Sequence, residues 1–143
     1  YPFDRFTLRA KKMLTAAQLE ATKAGVSYIG TEHLLLAALA DPESHAGTVL
    51  VTLGVTERAV RDVKKVDQDK PPPVHGLVPT DRVRLVVELA FRACAEAGGS
   101  VVSTGHILIA LAAEGGGIAA QVLKDAAATP EKIARALPAE PEA

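Results

Sequence analysis

The sequence predicts an all-α fold of eight helices, arranged as two four-helix repeats about a pseudo-twofold axis, and three observations carry that prediction. The first is an ungapped internal duplication: Thr31-Glu32-His33-Leu34-Leu35-Leu36 returns 73 positions later as Thr104-Gly105-His106-Ile107-Leu108-Ile109. The same offset pairs Thr7 with Thr80, Arg9 with Arg82, Val49-Leu50 with Val122-Leu123 and Thr56 with Thr129. A repeat of this length has to be settled before any other feature, because it decides the whole fold. The second is composition: 48% of the residues are hydrophobic, yet there are no Trp, three Phe and two Tyr, so the core is built from Leu, Val, Ile and Ala. The third is periodicity, with apolar residues at helical spacing behind Thr caps and only weak strand signals.

The first helix is expected from about Leu8 to Ala24, capped by the Thr7 hydroxyl, with Ala10, Met13, Leu14, Ala17 and Ala21 on its inner face and Gly25 as its stop. After a turn through 26–30, Thr31 is expected as the next N-cap, and Glu32 lies in the first turn, where the helix dipole favours an anion. The second helix, His33 to about Ala40, is apolar on nearly every side and so belongs at the centre of the domain. Asp41-Pro42-Glu43-Ser44 breaks the pattern; a third helix carries Val49, Leu50 and Leu53 to Gly54, and a fourth follows Thr56.

Pro71-Pro72-Pro73 prefers extended geometry, so residues 66–78 read as a linker between repeat one (6–65) and repeat two (79–137). In the second copy Thr80 opens a helix ending near Gly98, Thr104 is the expected cap of the apolar helix from His106 to Ala113, and Val122 and Leu123 mark the seventh helix. Thr129-Pro130 supplies a cap followed by proline at the first helical position. Residues 138–143 read as a frayed tail. With 143 residues the chain suits one domain, 1–143, able to bury roughly 68–70% of its unfolded surface. Two small units that cannot each hide an apolar helix pack most economically face to face.

Several function classes fall away on composition. A formal charge of -1 with dispersed basic residues opposes non-specific nucleic-acid binding. No apolar run reaches the roughly 20 residues that span a bilayer and no signal peptide opens the chain, so a cytoplasmic protein without a membrane partner is expected. The chain opens on Tyr1 instead of Met and reads as a piece of something longer. A single cysteine, Cys94, offers no internal disulfide and reads as a small buried hydrophobe.

No motif supports catalysis, a metal or a cofactor. Gly115-Gly116-Gly117 follows a helix instead of a strand and lacks the Lys-Ser/Thr of a P-loop, so it reads as a flexible connection between helices. His33 and His106 match by the offset but lack clustered ligands, which favours structural hydrogen bonding. Ser27, Ser44, Ser100 and Ser103 have no nucleophile-elbow context. Glu131, Glu140 and Glu142 read as a solvated terminus. Glu32 has two readings: a first-turn carboxylate that stabilises its helix, or an acceptor for a guanidinium in fork-like geometry, with helix N-terminal amides beside it for an anion.

The runs Phe6-Thr7-Leu8-Arg9-Ala10-Lys11-Lys12, Ala17-Gln18-Leu19-Glu20-Ala21 and Tyr28-Ile29-Gly30-Thr31-Glu32-His33-Leu34-Leu35-Leu36 resemble the repeat of the Clp N-terminal domain, specifically that of ClpC-type AAA+ unfoldases. The resemblance spans about Phe3 to Leu137. It implies a pair of four-helix repeats and a receptor role, docking protein substrates or adaptors for an ATP-driven unfoldase of the Clp protease. It further implies recognition of phosphorylated arginine, with Glu32 as guanidinium acceptor and Thr31 and Thr7 as neighbouring ligand residues. In the second repeat Gly105 stands where the family has glutamate, so single-site, weaker binding is expected. Cyclic peptide antibiotics are also family ligands, and the resemblance places them against Phe3, Leu14, Thr15, Gln18, Arg84 and Glu88.

The leading expectation is thus a non-enzymatic recognition domain of a Clp proteolytic system without cofactor, binding substrates, adaptors or cyclic peptides. A stand-alone decoy that sequesters such ligands from the unfoldase is the alternative. A small helical enzyme is a third class, for which the sequence offers no constellation.

Overall fold

A computed structural model describes residues 3–63 and 77–143 of the chain. Repeat one contributes α1 (Leu8–Lys23), α2 (Thr31–Leu39), α3 (His45–Thr52) and α4 (Glu57–Asp62), and repeat two contributes α5 (Asp81–Glu96), α6 (Thr104–Glu114), α7 (Ile118–Asp125) and α8 (Pro130–Ala136). The all-α expectation of eight helices holds among the described residues. A 3-10 turn, Phe3–Arg5, precedes α1. Of the expected linker, residues 66–76 lie outside the described residues, and Val78 is already engaged in pairing.

The helix starts follow from local chemistry. The Ala10 N–H donates to the Thr7 hydroxyl at 3.0 Å, Val83 N–H to Thr80 at 3.2 Å, Ala59 N–H to Thr56 at 3.2 Å and Lys132 N–H to Thr129 at 3.1 Å. Each bond satisfies one of the donors that a helix N-terminus leaves without an intrahelical acceptor.

The two apolar helices depart from expectation. Thr31 is not the cap of α2 but its first residue; extended Gly30 is the cap, and its N–H donates to Nδ1 of His33 at 2.9 Å. Ser103, not Thr104, caps α6: its N–H donates to His106 Nδ1 at 2.9 Å and its hydroxyl accepts from the His106 N–H at 3.3 Å. Histidine here does the work of the Glu or Gln in a capping box. The structural reading of both histidines is the one the geometry supports.

This bond requires a neutral Nδ1 on His106, and burial pushes its pKa below the ordinary 6.5, with His45 acting in the same direction and Glu142 opposing. The unfolded chain takes up the proton first as the pH falls. The contribution of neutral His106 is therefore full above pH 6.5 and is lost as the pH drops below that value. Thermal melts across this range are expected to show a falling midpoint, with a smaller fall in His106→Gln.

The threonine hydroxyls freed from capping reach across the pseudo-twofold axis. Thr31 Oγ1 accepts from the Ala119 N–H in the first turn of α7 at 3.3 Å, and Thr104 Oγ1 accepts from the Ala46 N–H in the first turn of α3 at 3.0 Å. Backbone pairing crosses in the same way. β1 (Tyr28–Ile29) runs parallel to β2 (Val78–Pro79), and Phe6 bridges Val102. Each repeat therefore completes the other. α2 packs on α1, α3, α4 and α7, and α6 packs on α5, α7, α8 and α3. Leu34, Leu35, Leu50, Ile107, Leu108, Leu111 and Leu123 lie fully buried between them, each contributing about 1.5–3 kcal/mol relative to exposure.

A duplicated ion pair ties each first helix to the end of its central helix: Arg9 to Asp41 at 2.7 Å, and Arg82 to Glu114 at 2.7 Å. The glycine triplet is closely packed where flexibility was expected. Gly115 ends α6 at φ +78°, a left-handed turn suited to glycine. A Cβ on Gly116 would overlap the Arg82 guanidinium, and one on Gly117 would stand 2.5 Å from Thr31 Oγ1.

Candidate functional site

The most fully built polar site lies where the first turns of α3 and α6 converge. The Glu142 carboxylate sits in it, half-buried, and accepts four hydrogen bonds: from the Thr7 hydroxyl at 2.8 Å, the Thr104 N–H at 2.8 Å, the His45 N–H at 2.8 Å and the Thr104 hydroxyl. Two helix dipoles and four donors on one carboxylate make this an oxyanion cradle. The expectation of a solvated, frayed end is overturned for Glu142, while Glu131 and Glu140 are exposed as expected. No sequence signal pairs Glu142 with Thr7, 135 positions away, or with His45, 97 positions away.

Thr7 is therefore placed at the second repeat's cradle and not beside Thr31 and Glu32. The cause is the crossed bridge: Thr7 N–H donates to Val102 O at 2.9 Å, fixing it next to Ser103 and Thr104. Its counterpart Thr80 donates its N–H to Ile29 O at 3.0 Å, and so stands at the start of α2. The duplication maps the Thr7, Thr104 and His45 donors onto Thr80, Thr31 and Ile118.

Glu32, the second residue of α2 and 6% exposed, lines a cleft of about 270 Å³ together with Ile118, His33, Leu36, Glu20 and Arg61. Of the three mapped positions Ile118 lines this cleft together with Glu32, whereas Thr80 and Thr31 are not among its walls. Arg61 sits at its edge, bonded to Glu57 at 2.8 Å and near Glu20 at 3.5 Å. The Glu57 hydrogen bond is the main reason its pKa is raised.

A second cleft of about 210 Å³ opens between α1 and α5. Its walls are apolar, with Phe6, Leu34, Leu77 and Val83 among them, and it brings together Leu14, Gln18 and Arg84 from the expected peptide surface. Thr15 faces a neighbouring groove with Lys11 and Lys12, Glu88 is exposed along α5, and the Phe3 side chain lies outside the described part. Cys94 is buried, which pushes its thiol pKa up. Among the described residues no group of three or more His, Cys, Asp or Glu forms a metal-ligand cluster. No single described helix is long and apolar enough to cross a membrane; only α6 and α7 taken together, bent by 91°, reach that length and composition.

The model of the Clp repeat (R) N-terminal domain matches residues 5–126 and again 78–141. The chain is 39% identical over 124 residues to the chaperone protein ClpB of Oceanobacillus iheyensis. It is 39% identical over 127 residues to ClpC/MecB of Bacillus subtilis, a negative regulator of genetic competence. Each alignment covers 86% of this chain but 15% of the relative, so the chain spans about 15% of the length of these relatives. Among solved structures it is similar to the N-terminal domain of ClpD from Arabidopsis thaliana, with TM-score 0.73, 22% identity and coverage of 95% and 94% of the two chains. The Hsp104 N-terminal domain from Candida albicans gives TM-score 0.69 and 22% identity over 92% of this chain and 87% of that one. Both share the fold.

Proposed function

Because this chain belongs to the Clp repeat N-terminal domain family, we propose that it is a non-enzymatic recognition module of a Clp proteolytic system, docking substrates or adaptors, with phosphoarginine-marked segments as the ligand class of the Glu32 cleft. The observation that carries this reading is the seated Glu142 carboxylate. In this duplicated arrangement of helix starts one copy holds a carboxylate, and in the other copy Ile118, the counterpart of His45, lines the cleft with Glu32, which supports the reading. A phosphoguanidinium carries both charges in that order: phosphoryl oxygens for amides and hydroxyls, guanidinium for a carboxylate. The apolar cleft between α1 and α5 is the proposed seat of apolar peptide segments, cyclic peptides included, with Gln18 and Arg84 as its polar contacts.

Calorimetric titration of phosphoarginine tests the first part. Glu32→Ala is expected to weaken binding roughly ten- to a hundredfold, the equivalent of a charge-assisted hydrogen bond of about 1.5–3 kcal/mol, while helicity is retained. Unchanged affinity would return Glu32 to a helix-stabilising role, and absence of binding by the parent chain would remove phosphoarginine as the ligand class.

A further inference from the structure

We propose that residues 138–143 act as a tethered internal ligand that closes the second-repeat cradle, and that withdrawing them opens it to a phosphate-type oxyanion. The segment turns back from Leu137 across the starts of three helices. Glu142 takes the donors of α3, α6 and Thr7, and the Ala143 carbonyl accepts the Arg9 N–H of α1 at 3.2 Å. These are donors that have no intrahelical acceptor. The carboxylate uses both of its oxygens, and its acceptor capacity is matched by the four donors around it. A dianionic phosphoryl group offers the same kind of acceptors with more charge.

Gly105 is what lets the segment lie there. A Cβ at this position would stand 2.6 Å from Leu137 Cδ2 and 3.3 Å from Ser103 Oγ, so any side chain has to shift the end of the Leu137 side chain, which belongs to the residue from which the tail departs. Position 105 thus does two things at once: it removes the carboxylate that Glu32 supplies in repeat one, and it makes room for the apolar anchor of the tail.

A short tether presents its own carboxylate at an effective concentration in the millimolar range, against which a free oxyanion has to compete. The competition raises the apparent dissociation constant of any external ligand by the reciprocal of the fraction of time the cradle is open. Removing the carboxylate removes the competitor and leaves the donors intact.

The test is a phosphate titration of the 143-residue chain and of its Glu142→Ala and Glu142→Gln variants at fixed ionic strength, followed through the backbone amide resonances of Thr104 and His45. Inorganic phosphate is expected to bind both variants at least tenfold more tightly than the parent, with saturable shifts at these two amides. Adding Thr104→Val to Glu142→Ala is expected to abolish the gain. A peptide of sequence 137–143 added in trans is expected to displace the phosphate. Phosphoarginine is expected to bind the opened cradle no better than phosphate, because position 105 offers no acceptor for its guanidinium. Equal affinity in parent and variants, or tighter binding without shifts at Thr104 and His45, overturns the proposal. The glutamine variant keeps the side-chain volume, so a folded sample for the comparison does not depend on the alanine variant. The inference rests on the domain being a receptor only in that the cradle then has a biological ligand. Failure at Glu32 and failure at Glu142 are read at different helices and are distinguishable.

Discussion

Replacing Gly47 with alanine is expected to lower the unfolding free energy by about 3 kcal/mol, the upper part of the usual range for overpacking, and the melting midpoint by roughly 10 °C. Gly47 is buried in the first turn of α3, against the backbone of the Asp41–Ser44 turn. A Cβ there would overlap the Asp41 carbonyl oxygen and stand 2.8 Å from Pro42 Cα. Neither neighbour is the end of a flexible side chain. The Asp41 carbonyl already accepts from the Ser44 N–H at 3.0 Å and the Ser44 hydroxyl at 2.7 Å, while the Asp41 carboxylate holds Arg9. Relief of the overlap therefore disturbs the α3 cap and the α1 ion pair together. Chemical denaturation measures the change directly, and a loss below about 1 kcal/mol would mean that the turn yields more easily than its bonding implies.

The second large effect is expected from Thr31→Val and Thr104→Val in combination. Valine keeps the shape of threonine and removes the acceptor, which strands the Ala119 and Ala46 amides in the core. Each stranded donor costs about 1–3 kcal/mol, so the double variant is expected to lose about 2–6 kcal/mol if the two sites are independent. Single and double variants in a denaturation cycle test this. An effect on the first-repeat or second-repeat variant alone would contradict the symmetric account, in which both threonines serve the opposite repeat.

The helices and their order were legible because periodicity, caps and the duplication all report local or repeated structure. Thr7, Thr56, Thr80 and Thr129 cap as their spacing predicts. What the sequence concealed was exchange between the repeats. Thr31 and Thr104 look like caps because threonine before an apolar helix usually is one, yet Gly30 and Ser103 take that role once a histidine three residues on can bond the cap amide. The family resemblance sets Thr7 beside Glu32, yet the Phe6–Val102 bridge and the Thr7 N–H bond to Val102 O send it to the other repeat. The Arg9–Asp41 and Arg82–Glu114 pairs were within reach of the offset, since both partners recur at it. Glu142 was beyond reach, because an acidic residue near a chain end has the same local signature whether solvated or seated. That Gly105 carries no carboxylate where Glu32 does is visible in the sequence, but the room it leaves for Leu137 needs the fold.

The crossed bonding has a consequence for how the chain comes into being. Thr31 waits for Ala119, Ile29 for Thr80, and Ala46 for Thr104, so the first repeat emerging from a ribosome has none of the partners that finish it. Unlike a solenoid, in which each unit rests on the one just made, this domain gains its defining contacts late and at long sequence separation, which slows folding. During synthesis its apolar second helix can pack on α1, α3 and α4, but the side that meets α7 stays uncovered until the fold's other half has followed it out of the ribosome.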